Sequence, residues 1–264
     1  MLNPETPTRA WAILQKSKVC VTVPQVSSPP KPGHTRFVCI SDTHGHAARL
    51  KKIPDGDVLL HAGDFTSTGR PDEVKKFDDF LASQPHKTKI VIAGNHEMTF
   101  DEKAYPALAK RFHPWDTYDV KTTKALLKHC IYLEDEETKV HGFRIYGSPW
   151  QPEFGNWGFN LPRGQACQEK WAKIPEGIDI LMTHGPPLGY GDLCLEKHRA
   201  GCVNLLETVE RIAPRYHVFG HIHEGYGVTT NNKTTFINAS SCNRAYDKFN
   251  LNAPIVFDLP NLIV

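Results

Sequence analysis

The chain has 264 residues, and its 31 basic and 29 acidic side chains leave a formal net charge of only +2. A hydrophobic content of 40% and a charged content of 23% are ordinary for a soluble globular protein. The balanced charge disfavours a protein that follows a nucleic-acid backbone, and no apolar run approaches the roughly 18 residues of a membrane-spanning helix.

Residues 1–34 differ in composition from the rest of the chain. They hold six prolines among scattered Ser, Thr and Lys residues. This composition is typical of an extended or loosely attached segment, although residues 19–23 could add an edge strand to a sheet. We therefore predict a Pro-rich N-terminal extension over residues 1–34 and one folded domain over residues 35–264.

Beyond residue 35, apolar stretches typical of strands alternate with stretches typical of helices. Strands are predicted over residues 36–41, 58–62, 89–93, 143–146, 178–183 and 217–219, and helices over residues 71–84 and 201–212. This alternation favours an α/β fold, with a mainly parallel sheet and helices on its faces. A hairpin over residues 226–238 and a last strand over residues 255–259 complete the predicted elements.

The cysteine content and the N-terminal sequence indicate the cellular compartment in which the protein is expected. Seven cysteines, an odd number, form no C-x-x-C pair, which favours a reducing compartment without a disulfide framework. A secretory hydrophobic region is not recognisable, because the run from Trp11 to Leu14 is followed at once by Gln15 and Lys16. We therefore expect a cytoplasmic protein that does not act at a membrane.

Five predicted strands end in a small residue that is followed by oxygen or imidazole donors. In an open α/β sheet, ligands bind beyond the carboxyl ends of the strands, so these donors are expected to meet at one site. In chain order the donors are Asp42 and His44, Asp64, Asn95 and His96, His184, and His221 and His223.

Such a donor set suits a centre of two divalent metal ions. Two ions roughly 3.5–4 Å apart can bind both the attacking and the leaving oxygen of a phosphoryl transfer. A carboxylate can bridge two cations, and a water between them loses its proton near neutral pH. Nitrogen and oxygen donors without thiolate favour Mn²⁺, Fe, Co²⁺ or Zn²⁺ over Ca²⁺, and we expect Mn²⁺ first.

The blocks D-x-H, G-D, G-N-H-E, a later H and G-H-x-H resemble those of the calcineurin-like metallophosphoesterase superfamily, in the same order. They run from Asp42 to His223 and so cover most of the chain. The segments over residues 158–164 and 220–227 are similar to those of the animal metallophosphoesterase-domain-containing proteins, a group related to class III cyclic-nucleotide phosphodiesterases. The resemblance implies two facing mixed β-sheets flanked by helices, and it makes residues 35–264 a metallophosphoesterase domain.

The resemblance also implies a role for each donor. One metal would be held by Asp42, His44 and His223, and the other by Asn95, His184 and His221. Asp64 would bridge the two metals. His96 would stand beside the phosphate as proton donor to the leaving oxygen or as stabiliser of developing charge. The implied mechanism is in-line attack by a metal-bridging hydroxide, and His221 matters because some close relatives carry glycine at the matching position and are weak enzymes.

The implied function is a dinuclear-metal-dependent phosphodiesterase that hydrolyses small phosphodiesters, with cyclic nucleotides (cAMP and cGMP) as the expected substrates. Two alternatives stay open: a phosphomonoesterase or protein phosphatase on the same metals, and a nucleotide-binding scaffold protein with little turnover. The expected partner is a small phosphodiester or nucleotide substrate. A nucleic-acid duplex is not expected, and the sequence does not indicate an oligomeric state.

Residues 148–170 form a long segment rich in aromatic side chains, which is typical of either a packed loop or a wall of the site. Within it, Trp157 and Asn160 could hold a nucleobase by stacking and hydrogen bonding, or they could simply pack on the core. Arg163 could bind a phosphate, because a guanidinium group matches phosphate geometry. Arg199 and Arg244, further along the chain, could do the same.

Overall fold

The structure is a computed structural model that describes residues 2–25 and 29–262. Its helices are α1 (Pro7–Leu14), α2 (Pro71–Ser83), α3 (Tyr105–Phe112), α4 (Val120–Lys124), α5 (Gln165–Trp171) and α6 (Val203–Ile212). Its strands are β1 (Val21–Thr22), β2 (His34–Ile40), β3 (Val58–His61), β4 (Thr88–Val91), β5 (Ile131–Tyr132), β6 (Glu136–Val140), β7 (Phe143–Ser148), β8 (Gln151–Pro152), β9 (Asn160–Leu161), β10 (Ile180–Thr183), β11 (Tyr216–Phe219), β12 (Gly227–Thr230), β13 (Thr235–Asn238) and β14 (Ile255–Pro260).

Two mixed sheets contain most of these strands. The five-stranded sheet has the order β14-β2-β3-β4-β5, and the seven-stranded sheet has the order β1-β12-β13-β11-β10-β7-β6. The central strands β2 to β5 are parallel to one another, and so are β13, β11, β10 and β7. The carboxyl ends of parallel neighbours lie at one edge of a sheet, which brings the predicted donors of each sheet together.

The two sheets face each other across a shared hydrophobic core. Along β2, Phe37 and Cys39 point into this core, whereas Val38 and Ile40 point to the opposite face, as the two-residue period of a strand requires. Phe37 contacts Phe143 of the other sheet edge-to-face, with ring centroids 5.7 Å apart. Both faces of β2 are therefore buried, which explains its continuous apolar run.

Helices cover the outer faces of the sheets. The amphipathic helix α2 buries Val74, Phe77 and Leu81 against the five-stranded sheet. On the other side, α5 and α6 pack on the seven-stranded sheet together with α1. Within the described ranges, no helix is long and apolar enough to cross a membrane, and the longest, α2, has 13 residues.

The predicted architecture of two facing mixed sheets flanked by helices is confirmed, and the predicted strands agree with the observed ones to within a few residues. The prediction lacks the helices α3, α4 and α5 and the strands β5, β6, β8 and β9, which lie in regions where the sequence pattern is weak. The loosely attached lead-in is a wrong prediction for residues 7–14, which form α1 and bury Trp11 to 6% exposure. The predicted edge strand corresponds to β1, which pairs with β12, while residues 1 and 26–28 lie outside the described part of the chain.

Candidate metal centre

The donor side chains project from loops that follow the strand ends of both sheets. These loops are joined by backbone hydrogen bonds, since the amide of Asp42 donates to the carbonyl of Gly63 at 2.9 Å and the amide of His44 donates to the carbonyl of Asp64 at 2.9 Å. Asp42, His44, Asp64 and His221 adopt left-handed backbone conformations, with φ of 50°, 42°, 56° and 66°. Such conformations cost free energy in residues other than glycine and cluster at functional sites.

Asp42, His44 and His223 form the first group of donors. The Nε2 atoms of His44 and His223 lie 3.3 Å apart, and the Nε2 atom of His223 lies 3.4 Å from Oδ1 of Asp42. Two ligands that each lie about 2.1 Å from one ion are separated by roughly 3.0–3.4 Å at octahedral and tetrahedral angles. The spacing of this group therefore fits a shared ion, and all three side chains are buried.

Asn95, His184 and His221 form the second group, together with Asp64. The Nε2 atom of His184 lies 3.0 Å from Oδ1 of Asn95 and 3.3 Å from Oδ2 of Asp64. The ring of His221 lies edge-to-face against that of His184, with centroids 5.1 Å apart. One donor atom each from Asp64, His184 and His221 lies within 4.8 Å of the others.

Asp64 lies between the two groups. Its Oδ2 atom is 3.9 Å from Nε2 of His44 and 3.8 Å from Nε2 of His96, in addition to the short contact with His184. Its other oxygen, Oδ1, accepts a hydrogen bond of 2.8 Å from the backbone amide of His96. This carboxylate is therefore the one that can face an ion on either side.

Backbone carbonyls orient three of the histidines. The Nδ1 atom of His184 lies 2.9 Å from the carbonyl oxygen of Ala62, and that of His223 lies 3.1 Å from the carbonyl oxygen of Asn243. In His96 the corresponding distance, to the carbonyl oxygen of Ser67, is 2.7 Å. A carbonyl only accepts, so Nδ1 donates in each case and Nε2 is directed to the donor cluster, an arrangement typical of metal-binding histidines.

The electrostatics of the site fit a cation. Burial lowers the pKa of His44 and of His221 to about 3 each, which keeps these imidazoles neutral and able to coordinate a metal. Burial opposes ionisation of Asp42, but the hydrogen bond and charge of His223 outweigh it and hold the pKa of Asp42 below its ordinary value. Burial also lowers the pKa of His184, yet the Asp64 carboxylate reverses this effect and raises it to about 9.

The buried carboxylates of Asp42 and Asp64 are stabilised by positive charge close to them, and bound divalent cations would supply that charge. The donors consist of imidazole nitrogens, carboxylate oxygens and one amide oxygen, a combination that suits Mn²⁺, Fe, Co²⁺ or Zn²⁺. The buried Nδ1 atom of His44 has no hydrogen-bond partner among the described residues. The seven residues fit the two-metal set that the sequence predicts.

Glu97 is a buried acidic residue behind the donors, and the sequence alone assigns it no role. Its buried carboxylate accepts hydrogen bonds from the backbone amides of Asp64, Thr66 and Gly94 at 2.7–2.8 Å, and from the Thr66 hydroxyl at 2.7 Å. Burial and the Asp64 carboxylate raise the pKa of Glu97, and the four donors oppose that rise. The available signal was the acidic residue that closes the G-N-H-E block.

Gly63, which precedes Asp64, is required by a close approach. Its φ is +98°, and a Cβ atom at this position would lie 2.6 Å from Nδ1 of His184 and 2.7 Å from the carbonyl oxygen of Ala93. A side chain here would displace His184 from the second group of donors. The absence of a side chain at Gly63 therefore lets His184, which comes from the other sheet, approach the end of strand β3 closely.

A cleft of about 430 Å³ opens above the donors. Donors from both groups lie at its floor, and its walls and rim carry Phe154, Cys194, Glu196, His198, Ile222, Glu224, Arg244 and Tyr246. The ring of Phe154 lies 5.5 Å from that of His221, and the ring of Tyr246 lies 4.8 Å from that of His44, so one aromatic ring flanks each donor group.

The structure separates the predicted substrate residues from this cleft. The ring of Trp157 contacts that of His96, with centroids 4.2 Å apart and planes tilted by 31°, but it does not line the cleft. Asn160 donates to the carbonyl of Phe154, and Arg163 donates to the carbonyls of Ala200 and Gly201. Trp157 thus supports a site residue, and the geometry gives no support to substrate contacts by Asn160 and Arg163, because their polar groups are engaged in holding loops.

Comparison with known proteins agrees with this site. The model of the calcineurin-like phosphoesterase family matches residues 35–225. Metallophosphoesterase domain-containing protein 1 of Homo sapiens and of Mus musculus is 56% identical over 242 residues, which are 88% of this chain and 73% of that protein. A UPF0046 protein of Caenorhabditis elegans is 47% identical over 273 residues, covering 97% of this chain and 68% of its own length.

A solved structure shows the same fold. The crystal structure of TT1561 of Thermus thermophilus superposes with a TM-score of 0.53 over 78% of this chain and 88% of that chain. Its sequence is 12% identical, so the similarity concerns the fold alone.

Proposed function

Since the chain belongs to the calcineurin-like metallophosphoesterase family, whose members are hydrolases that act on phosphoesters, we propose that it hydrolyses small phosphodiesters, cyclic nucleotides such as cAMP and cGMP among them. The activity would depend on two divalent ions, with Mn²⁺ as the first expectation. We further propose a cytoplasmic location, which the seven free cysteines support.

The observation that carries this proposal is the place of Asp64 between two groups of metal donors. Its Oδ2 atom lies 3.3 Å from Nε2 of His184 on one side and 3.9 Å from Nε2 of His44 on the other. When bound there, two divalent ions would lower the pKa of a water between them and withdraw charge from the phosphoryl oxygens. The protein's part is to hold the donors rigidly through the carbonyls and the Glu97 carboxylate described above.

We assign the transfer of a proton to His96 as part of this proposal. Its Nδ1 atom donates to the carbonyl of Ser67, and the ring of Trp157 packs against the imidazole with centroids 4.2 Å apart. The remaining nitrogen, Nε2, faces the cleft 3.8 Å from Oδ2 of Asp64. In its protonated form this nitrogen can donate a proton to the leaving oxygen or stabilise charge that develops on it.

The charge of the cleft favours a diester over a monoester. Glu196 and Glu224 both lie in its lining, with Arg244 as the single Lys or Arg there within the described residues. A diester carries one negative charge and a monoester carries nearly two at neutral pH, so the two carboxylates oppose the monoester more strongly. The exposed rings of Phe154 and Tyr246 would accept a nucleobase or aryl group by stacking.

The test uses protein that is stripped of metal and reconstituted with Mn²⁺. A chromogenic phosphodiester, the matching monoester, and 3′,5′- and 2′,3′-cyclic nucleotides are assayed side by side for wild type and His221→Ala. We expect metal-dependent diester turnover that falls by at least about 100-fold in the variant. His141→Asn, at an exposed turn position with φ of 51°, is the matched histidine control.

Turnover of the monoester alone would replace the proposal by a phosphomonoesterase on the same donors. A protein that binds Mn²⁺ and nucleotide but turns over no ester would be a nucleotide-binding scaffold. Either result contradicts the proposed diesterase activity.

A further inference from the structure

The sequence alone allows Arg163, Arg199 and Arg244 to bind a phosphate, but their contacts in the structure differ. Arg163 is engaged by two backbone carbonyls. Arg199 is ion-paired with the buried Asp192, and its guanidinium lies 4.9 Å above the ring of Trp11. Only Arg244, of the three, lines the cleft above the metal donors.

The backbone of Arg244 is anchored to the first donor group. The preceding residue, Asn243, offers its carbonyl to Nδ1 of His223 at 3.1 Å, and the amide of Cys242 donates to the carbonyl of Asp42 at 3.1 Å. The backbone of Arg244 is therefore held at a fixed point beside Asp42 and His223. Its long side chain is more than half exposed and can reorient from that point.

In this structure the guanidinium of Arg244 is occupied by Glu196. Nη2 of Arg244 lies 2.5 Å from Oε1 of Glu196, and the two side chains are 55% and 52% exposed. Both residues line the cleft, and among the described residues Glu196 is the acidic side chain that pairs with Arg244. An ion pair with this exposure gains little free energy, because solvent screens it. A phosphate that enters the cleft can therefore compete for the guanidinium.

We propose that Arg244 is a substrate-positioning residue that binds an anionic oxygen of the phosphoester, and that Glu196 holds Arg244 aside until the ligand arrives. This inference rests on the proposed function for the identity of the substrate. It adds a residue outside the metal donors and makes Glu196 a competitor of the substrate for the same guanidinium. A guanidinium presents paired donors to phosphate, which an ammonium group does not.

The first test measures binding of inorganic phosphate to the Mn²⁺-loaded protein by calorimetry, a readout independent of turnover. We expect Arg244→Ala to weaken phosphate binding about tenfold, and Arg244→Lys to recover part of the loss. Glu196→Gln is expected to strengthen binding about threefold, because it frees the guanidinium. The matched controls are Arg211→Ala and Glu176→Gln, which belong to an exposed Arg–Glu pair outside the cleft.

The double variant Glu196→Gln with Arg244→Ala distinguishes two ways in which Glu196→Gln could strengthen phosphate binding. One is release of the Arg244 guanidinium, and the other is removal of a negative charge that repels the anion. If Glu196 acts by holding Arg244, the gain from Glu196→Gln disappears when Arg244 is replaced by Ala. An equal gain in both backgrounds would mean that Glu196 only repels the anion, and it would overturn the holding role. Phosphate binding that is unchanged in Arg244→Ala would overturn the proposal as a whole.

Kinetics with the diester extend the test if the protein turns it over. Arg244→Ala is then expected to raise KM about tenfold and to change kcat much less, since the guanidinium binds an oxygen that is already anionic in the bound diester and so stabilises the ground state and the transition state alike. Failure of diester turnover with Arg244-dependent phosphate binding intact would count against the proposed activity and leave the role of Arg244 standing.

Discussion

At the scale of single residues, the site depends on groups that hold the donors as much as on the donors themselves. Glu97 is the clearest of these, because one buried carboxylate joins the loops that carry Asp64 and Asn95. It does not line the cleft, and its contribution is to fix the backbone amides of Asp64, Thr66 and Gly94. We therefore expect replacement of Glu97 to affect both the free energy of unfolding and metal binding.

We expect Glu97→Gln to lower the free energy of unfolding by about 2–3 kcal/mol, because one acceptor oxygen becomes an amino group that faces N–H donors. Urea denaturation of the metal-free protein measures this loss, and titration with Mn²⁺ is expected to show weaker binding. Glu136→Gln is the control, since Glu136 is exposed on β6. A variant as stable as the control would show that the four hydrogen bonds contribute nothing measurable.

At the scale of elements, the N-terminal helix is part of the folded body. Trp11 of α1 contacts the ring of Tyr190 edge-to-face at 5.8 Å and lies in the core cluster that also contains Trp171 of α5. The helix α1 therefore covers part of the outer face of the seven-stranded sheet. Its burial is the reason that residues 7–14 are ordered in spite of a composition typical of a tail.

Replacing this anchor should loosen α1 while sparing the metal centre. We expect Trp11→Ala to lower the free energy of unfolding by about 3 kcal/mol, from lost burial and an unfilled cavity. Ile13→Ala removes a side chain of the same helix that is 60% exposed, and it should change stability by less than about 0.5 kcal/mol. Urea denaturation compares the two, and equal losses would contradict the docking of α1 through Trp11.

An ion pair between adjacent strands makes a pH-dependent contribution to the free energy of unfolding. Arg36 of β2 and Asp258 of β14 are register partners joined by hydrogen bonds of 2.7 and 2.8 Å, with both side chains at 7% exposure or less. The hydrogen bond from Arg36 holds the pKa of Asp258 below its ordinary value. A carboxyl group with a depressed pKa adds stability above its unfolded pKa of about 3.9, and this stability is lost as the pH falls through the folded value.

We therefore expect Asp258→Asn to destabilise the protein by about 3 kcal/mol at neutral pH. The difference from wild type should shrink as the pH falls below about 4, where wild type also loses the charge. Asp79→Asn, which breaks an exposed pair with Lys75, should stay within about 1 kcal/mol of wild type at every pH. A difference between Asp258→Asn and wild type that is constant from about pH 7 to about pH 3 would refute the linkage.

At the scale of the whole molecule, the candidate metal donors come from both sheets. Asp42, Asp64 and Asn95 follow strands of one sheet, and His184, His221 and His223 follow strands of the other. Bound ions would therefore join the two sheets. Ligands that bind only the folded state stabilise it by about 2.7 kcal/mol at 100 times their dissociation constant.

This linkage predicts that Mn²⁺ at that concentration raises Tm by roughly 5–10 °C, and that a chelator removes the increase. His221→Ala should show a smaller rise, because the second donor group has lost one member. Thermal unfolding with and without Mn²⁺ measures both proteins. An equal Tm for wild type in Mn²⁺ and in chelator would contradict a metal site between the sheets.

The sequence predicted the centre of the fold better than its margins, for physical reasons. The strands that end in donors are buried on both faces, so their apolar runs are continuous and their ends are sharply marked by glycine and polar residues. Helix α1 and strand β6 lack such marks, since their order depends on contacts with distant residues. The roles of Asn160, Arg163 and Arg244 could not be separated by residue type, because which polar group an arginine or asparagine binds is decided by loops distant in sequence.

Each sheet also contains one strand that is distant in sequence from its other strands. The N-terminal segment contributes β1 to the seven-stranded sheet, whose other strands all come after residue 135, and the last strand, β14, joins β2 in the five-stranded sheet, whose other strands all come before residue 133. A break between β5 and β6 would therefore not yield two self-sufficient halves, because each half would retain a strand that belongs to the other. During synthesis on the ribosome, the five-stranded sheet therefore stays incomplete until residues 255–260 have emerged.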